Sequence, residues 1–454
     1  VTALPDGIIS LVHGEKERVV SALLFAPGFQ AKPWWWEAAE PVAAPPVDLP
    51  GEAEVAIIGG GYTGLSAALT LARLGHRPVV LDMEAIGFGA SSRNGGMVSG
   101  ALKLAKGDLA ARLGRERAER LVREAAGSLG FLEETIAREG IECHYTRSGR
   151  FVAAWTRRHW EAMAARADWL AEVTGGAVRM VPPGRTREEL GTDHYRGGMV
   201  VEAAGSLHPA LYVQGLARAA ARAGAVLIDR TRVTSIARQG DTFRLSTDRG
   251  TLVARALLAA TNGYTGEATP WLARRLIPVG SYIIATEALP AGTMARLFPT
   301  RRMISDSRRV LNYFRPDPGF TRVLWGGRAS FGPTTPEQAA PVLHGFMTTV
   351  FPELREVRVT HAWTGNVAFT FDFLPHLGVH EGMHYAVGCQ GSGVAMQTWL
   401  GHRIALKIAG AANSETAFDD MRFPTLPLYA GRPWFLPIVG AWYRARDRFD
   451  RLAA

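Results

Sequence analysis

Residues 55–64 read Val-Ala-Ile-Ile-Gly-Gly-Gly-Tyr-Thr-Gly, and this stretch decides the fold. Val55 to Ile58 form the short apolar run of a buried parallel strand. The run enters the spacing Gly59-x-Gly61-x-x-Gly64, after which Leu65 to Ala72 reads as a helix. In this order the parts make a dinucleotide site. Gly59 allows the tight turn, Gly61 lets a pyrophosphate approach the backbone, and Gly64 lets the helix pack closely on its strand. The helix start, with Tyr62 and Thr63, offers N–H groups to the phosphates. A second strand, Pro78 to Leu81, ends at Asp82 and Met83. An acid about 20 residues past the glycines is where a ribose hydroxyl needs an acceptor. A chance glycine turn with Asp82 as a loop acid would not assemble every part in sequence.

Downstream lies Gly87-Phe88-Gly89-Ala90-Ser91-Ser92-Arg93-Asn94-Gly95-Gly96-Met97. Four glycines, two serines, an Arg and an Asn cannot form core. They suit a backbone wrapping a long polar ligand, with hydroxyls and Arg93 near phosphates. A nicotinamide enzyme would continue directly into another βα unit, whereas a flavin enzyme uses such a loop to reach the isoalloxazine.

With this loop the chain resembles the FAD-dependent D-amino-acid-oxidase-like amine oxidoreductases, the family of glycine and sarcosine oxidases, nearest to its γ-glutamylputrescine oxidoreductase-like members. The resemblance also rests on Lys32-Pro33-Trp34-Trp35-Trp36-Glu37, Gly205-Ser206-Leu207-His208-Pro209, Ala260-Thr261-Asn262-Gly263-Tyr264 and Gly388-Cys389-Gln390-Gly391-Ser392-Gly393-Val394. These pieces run in family order over most of the chain. The implied fold is α/β: a Rossmann-like FAD-binding domain interleaved with an α+β substrate domain built on an antiparallel sheet. The boundaries read as an arm at 1–50; FAD-binding segments 51–107, 196–270 and 361–412; substrate segments 108–195 and 271–360; and a tail at 413–454.

The composition suits a globular enzyme, with 47% hydrophobic and 20% charged residues. Cys143 and Cys389 give neither a disulfide framework nor metal spacing, so a reducing cytoplasm is the expected location. The N-terminus lacks the charged and apolar pattern of a signal peptide. The late apolar stretch from Pro433 to Tyr443 is far short of the ~20 residues that span a bilayer. The net charge of +9 comes almost wholly from scattered Arg, as in Arg112, Arg115, Arg117 and Arg120 interleaved with Glu116 and Glu119. That is a solvated helix face rather than a nucleic-acid patch.

Helical spacing of apolar residues is read from Asp108 to Arg138 and from Ala210 to Ala223. Strands are read at Gly149–Ala154, Ala225–Ile228, Thr231–Ile236, Ala256–Ala260, Gly280–Thr286, Val310–Arg315, Arg322–Arg328 and Met383–Val387. The last helix read runs from Val394 to Ile408.

The turn Gly388 to Gly393 repeats the first motif's logic, since a helix starting near Val394 points its positive end at it. The resemblance implies that Gly388, Gly391, Ser392, Gly393 and Val394 face the flavin pyrimidine edge, that Val233 contacts adenine, and that Thr261, Asn262 and Gly263 line the second pass. Relatives with covalent flavin use a cysteine before this turn, but Thr360 to Gly365 has none, so FAD is expected to be non-covalent. A lysine that promotes oxygen reaction in some relatives is absent from Arg322 to Arg328, leaving oxygen or another electron acceptor open.

The implied reaction oxidises a small primary or secondary amine, with FAD taking a hydride. An aminophosphonate or N-methyl amine with an anionic tail, and a nicotinamide-dependent dehydrogenase, are the alternatives. His361, Trp363, Met97 and Tyr264 are catalytic candidates. His208, Tyr282 and Cys389 are candidates for the substrate pocket, with packing the alternative for each. Arg315 and Arg328 could clamp a carboxylate or phosphonate, or be solvated strand ends.

Overall fold

The computed structural model describes residues 24–41, 47–102 and 109–452. Much of the expected 1–50 arm, including Pro45 and Pro46, lies outside the described residues, as does Asp108. Five strands run parallel in the order Val226–Ile228, Pro78–Leu81, Glu52–Ile58, Gly250–Ala259 and Met383–Val387. Val233–Gln239 and Thr242–Thr247 lead into Gly250–Ala259 as an antiparallel meander, and His376–His380 pairs with Met383–Val387. The sheet has eight strands.

The helix Tyr62–Arg73 is buried on nearly every side. Its residues are small or apolar all round, so a second layer must cover it. The helix Gly393–Ile408 does so. Where the two meet, a Cβ at Gly401 would lie 2.3 Å from the Thr63 carbonyl oxygen, and the Ser66 hydroxyl donates to Thr398 O at 2.6 Å. The first and last passes through the domain are thereby packed backbone to backbone.

The second sheet has nine strands in the order Phe25–Gln30, Val359–Phe369, Ile277–Thr286, Val323–Gly327, Asn312–Pro316, Met303–Asp306, Arg150–Ala153, Gly198–Val201 and Val178–Val181. It is mostly antiparallel, with parallel pairs at Phe25–Gln30/Val359–Phe369 and Met303–Asp306/Arg150–Ala153. Side chains alternate across it. Phe151, Ile284, Phe314 and Trp325 pack with Leu343 and Met347 of the helix Pro336–Val350, while Val279, Ser281, Ile283 and Tyr313 face a large cavity.

Sheet membership departs from the sequence reading at two places. Val359–Phe369 lies within the nine-stranded sheet rather than the dinucleotide sheet, as does Gly198–Val201. The expected tail contains the helix Leu436–Leu452, held by Asp447, whose carboxylate accepts from Arg309 N, Arg309 Nη1 and Val310 N. Gly440 seats that helix on the Phe331 ring, where a Cβ would come within 2.2 Å. Among the described residues no helix is long and apolar enough to cross a membrane.

Candidate active site

The glycine turn has the conformation its sequence demands. Gly59 takes φ +107°, and a Cβ there would meet Ala260 O at 2.8 Å. A Cβ on Gly64 would stand 1.9 Å from Gly59 O, so only glycine lets the helix begin this close to its strand. At Gly61 a Cβ would come 2.9 Å from Ser91 Oγ. Asp82 Oδ2 accepts from Gly60 N at 2.7 Å and Oδ1 from Glu84 N at 3.0 Å. Desolvation pushes the Asp82 pKa up to about 6 against those two bonds.

The second loop folds over the helix start. Ser91 Oγ accepts from Tyr62 N at 3.1 Å, and the Tyr62 hydroxyl donates to Ser91 O at 2.6 Å. The Asn94 amide donates to Ala90 O, Ser91 O and Tyr62 Oη, while its oxygen accepts from Gly96 N. Asn94 is therefore the staple of the loop. Asn262, at φ +45°, does a similar task later in the chain, its side-chain oxygen accepting from Gly388 N at 2.9 Å.

These pieces line one cavity of about 1640 Å³ between the two sheets. Gly59, Gly61, Tyr62, Thr63, Asp82, Met83, Gly89 to Ser91, Arg93 to Gly95, Met97, Val233, Thr261 to Tyr264, Cys389 and Gly391 to Val394 all reach it. Two observations fit a bound FAD. Gly59, Gly61, Tyr62 and Thr63 put the glycine turn and the helix start on the cavity where a pyrophosphate would lie, and Gln397 Nε2 is buried at the cavity wall without a hydrogen-bond partner among the described residues. Sequence reasoning missed Gln397, although a Gln in the apolar run from Val394 to Leu400 was a signal.

Other expected residues are placed elsewhere. Trp363 stands opposite Ile283 in the sheet register; Ile283 lines the cavity, but Trp363 packs with Trp35 and Trp36, its indole N–H donating to Arg93 O at 2.7 Å. His361, two residues further along that face, sits 3.3 Å from Glu37 and outside the cavity, with burial lowering its pKa. His208 caps the helix Pro209–Arg222, its Nδ1 accepting from Leu211 N, and burial pushes its pKa down to about 4. The Tyr282 hydroxyl donates to Thr334 O on the far face of the sheet. Arg315 is a buried strut donating to Gly96 O, Leu207 O and Pro316 O. Ser92 accepts from the Trp36 indole N–H, and the Arg93 guanidinium lies against the Trp36 and Phe88 rings while bonding Phe88 O and Thr364 O. Arg93 thus reaches the cavity with its Nε and Nη1 already taken by backbone carbonyls. Gly64, Gly96 and Gly388 shape the backbone without lining the cavity.

The substrate side was largely unforeseen. The Tyr313 ring lies over Gly326, where a Cβ would come within 2.2 Å, and its hydroxyl is 2.9 Å from Ser281 Oγ. Desolvation pushes the Tyr313 pKa up to about 12, so it is a neutral hydrogen-bonding group. Arg328 lies against Phe331 and Phe369, and Arg150 bonds Ser305 Oγ through Nε and Nη2. Both line the cavity without an ion pair to a described carboxylate, and desolvation lowers both pKa values to about 10. Phe435, Leu436, Val439 and Tyr443 close the cavity from the terminal helix and its approach.

Residues 54–406 match the family model described as DAO, FAD dependent oxidoreductase. The chain belongs to that family. It is an enzyme that uses FAD, which replaces the nicotinamide alternative. The chain is similar to the probable oxidoreductase OrdL of Rhizobium meliloti (strain 1021), 32% identical over 438 residues that cover 93% of this chain and 98% of that one. It is also similar to the gamma-glutamylputrescine oxidoreductase of Escherichia coli (strain K12), 30% identical over 87% of this chain and 93% of that one. The crystal structure of glycine oxidase from Geobacillus kaustophilus shares the fold, with a TM-score of 0.69 at 23% identity over 83% of this chain and 99% of that one.

Proposed function

We propose that this enzyme oxidises a primary or secondary amine that also carries an anionic group. The observation behind the anionic group is the pair Arg328 and Arg150, two desolvated guanidiniums on one cavity without a described carboxylate to neutralise them. Holding a buried cation unpaired is costly, and a carboxylate or phosphonate would supply its counter-charge. The amine half of the reading draws on the two relatives whose names specify nitrogen compounds, the gamma-glutamylputrescine oxidoreductase and the glycine oxidase.

FAD, when bound, would accept a hydride from the carbon beside the nitrogen, leaving an imine that water hydrolyses. Asp82, the Gly59–Gly64 turn and Gln397 would hold it, and with Cys143 buried in the core, the Cys389 thiol donating to Ala368 O and no cysteine between Thr360 and Gly365 we take the attachment to be non-covalent. Arg328 would anchor the anionic end. Val279, Ile283, Phe369 and Val439 would exclude water from the amine, which favours its neutral, reactive form. Tyr313, tied to Ser281, would orient the substrate through its hydroxyl.

The test is anaerobic mixing of the holoenzyme with matched amines bearing and lacking a carboxylate or phosphonate. Bleaching by the anionic members at much lower concentration supports the reading. Equal bleaching by the uncharged members removes the anionic requirement.

A further inference from the structure

The terminal helix Leu436–Leu452 has two working faces. Leu436, Val439 and Tyr443 turn inward to the cavity. Ile438, Trp442, Ala445, Phe449 and Leu452 recur at alternating spacings of four and three, which at 3.6 residues per turn gathers them into a stripe about 80° wide. That stripe faces solvent: Ile438 is 67% exposed, Trp442 53%, Phe449 67% and Leu452 81%. Trp434, 66% exposed, extends it at the helix entrance.

The charges beside the stripe are of one sign. Arg446 and Arg448 are exposed along it, with Arg446 stacked on the Trp442 ring. The helix's two acids point the other way, Asp447 and Asp450 both being taken by Arg309. Two copies joined along this stripe would set arginines against arginines, with no outward acid of the helix to pair them. An anionic lipid surface meets both features, receiving Trp, Phe and Leu among its acyl chains and Arg among its phosphates.

We propose that this helix docks the enzyme peripherally on a bilayer containing anionic phospholipid, without crossing it. The family match ends at residue 406, so the docking element lies outside the part of the chain that defines the family. Because the opposite face closes the cavity, docking places the cavity rim beside the lipid. The inference does not depend on which substrate the enzyme takes.

The experiment is sedimentation of the flavin-loaded protein with vesicles of phosphatidylcholine alone and of phosphatidylcholine with phosphatidylglycerol. The wild type is expected to sediment with the anionic vesicles and to be released by high salt. Ile438→Glu and Phe449→Glu should each lower the bound fraction at least tenfold, and Arg446→Glu with Arg448→Glu should do the same, while all keep their flavin spectrum. Failure of the wild type to bind, or equal binding by these variants, overturns the proposal. So does a wild-type dimer in light scattering that Phe449→Glu splits while vesicles are ignored, since the stripe would then be an interface between copies.

Discussion

Thr63 Oγ1 donates to Gln397 Oε1 at 2.7 Å, joining the first turn of the dinucleotide helix to the helix that follows the last glycine turn. The bond leaves Gln397 Nε2 as a buried donor on the cavity wall. Replacing Gln397 with Leu removes that donor and strands the Thr63 hydroxyl. One lost buried hydrogen bond is worth about 1–2 kcal/mol, so FAD affinity should fall roughly tenfold in titrations of the apoprotein, with circular dichroism unchanged.

Gly61→Val places a side chain against Ser91 Oγ, on the cavity side of the turn. The variant should be purified colourless yet retain its helical signal. Full flavin occupancy would remove the pyrophosphate from this turn.

Arg328 and Arg315 should separate binding from stability. Arg328→Met takes a counter-charge from the substrate cavity, and loss of a buried charged contact costs about 2–3 kcal/mol. The kcat/KM for an anionic amine should drop roughly 30- to 150-fold, with the flavin spectrum and melting temperature nearly unchanged. Arg315→Met removes the strut that binds Gly96 O and Leu207 O. Its main effect should be a lower melting temperature, read by thermal unfolding.

Asp82 sets a pH dependence. Desolvation raises its folded-state pKa to about 6 from 3.8, so the folded apoprotein binds more protons than the unfolded chain between those values. The Asp82 contribution to apoprotein stability should therefore be greatest below about pH 4, decline as pH rises to about 6, and level off above, a change of roughly 2–3 kcal/mol. Asp82→Asn should flatten that slope in denaturant titrations. A slope unchanged by the substitution would assign it to other groups.

The dinucleotide half was legible because its constraints are local. Gly59 is required by its own positive φ and Gly64 by the Gly59 carbonyl within the same turn, and Asp82 lies at the end of the adjacent strand. The substrate half was not, because it depends on register. His361 and Trp363 share a face with Gly365 and Val367, as period-two alternation dictates, but only the later pair reaches the cavity. Nothing in the strand itself says that Trp35 and Trp36 cover its earlier end. Tyr313 was hidden similarly, since its place depends on a glycine, Gly326, in the neighbouring strand. The terminal helix needed knowledge of Arg309, far away in sequence, to be seen folding back.

That an amine is the electron donor can be read from stopped-flow reduction of the holoenzyme's flavin, without oxygen, using an amine and its α-deuterated form. The amine is expected to bleach the flavin, deuterium to slow the step several-fold, and the rate to rise with pH as the bound amine loses its proton. If a broad amine panel leaves the flavin oxidised while hydroxy acids or nicotinamide nucleotides reduce it, the assignment to amines is wrong.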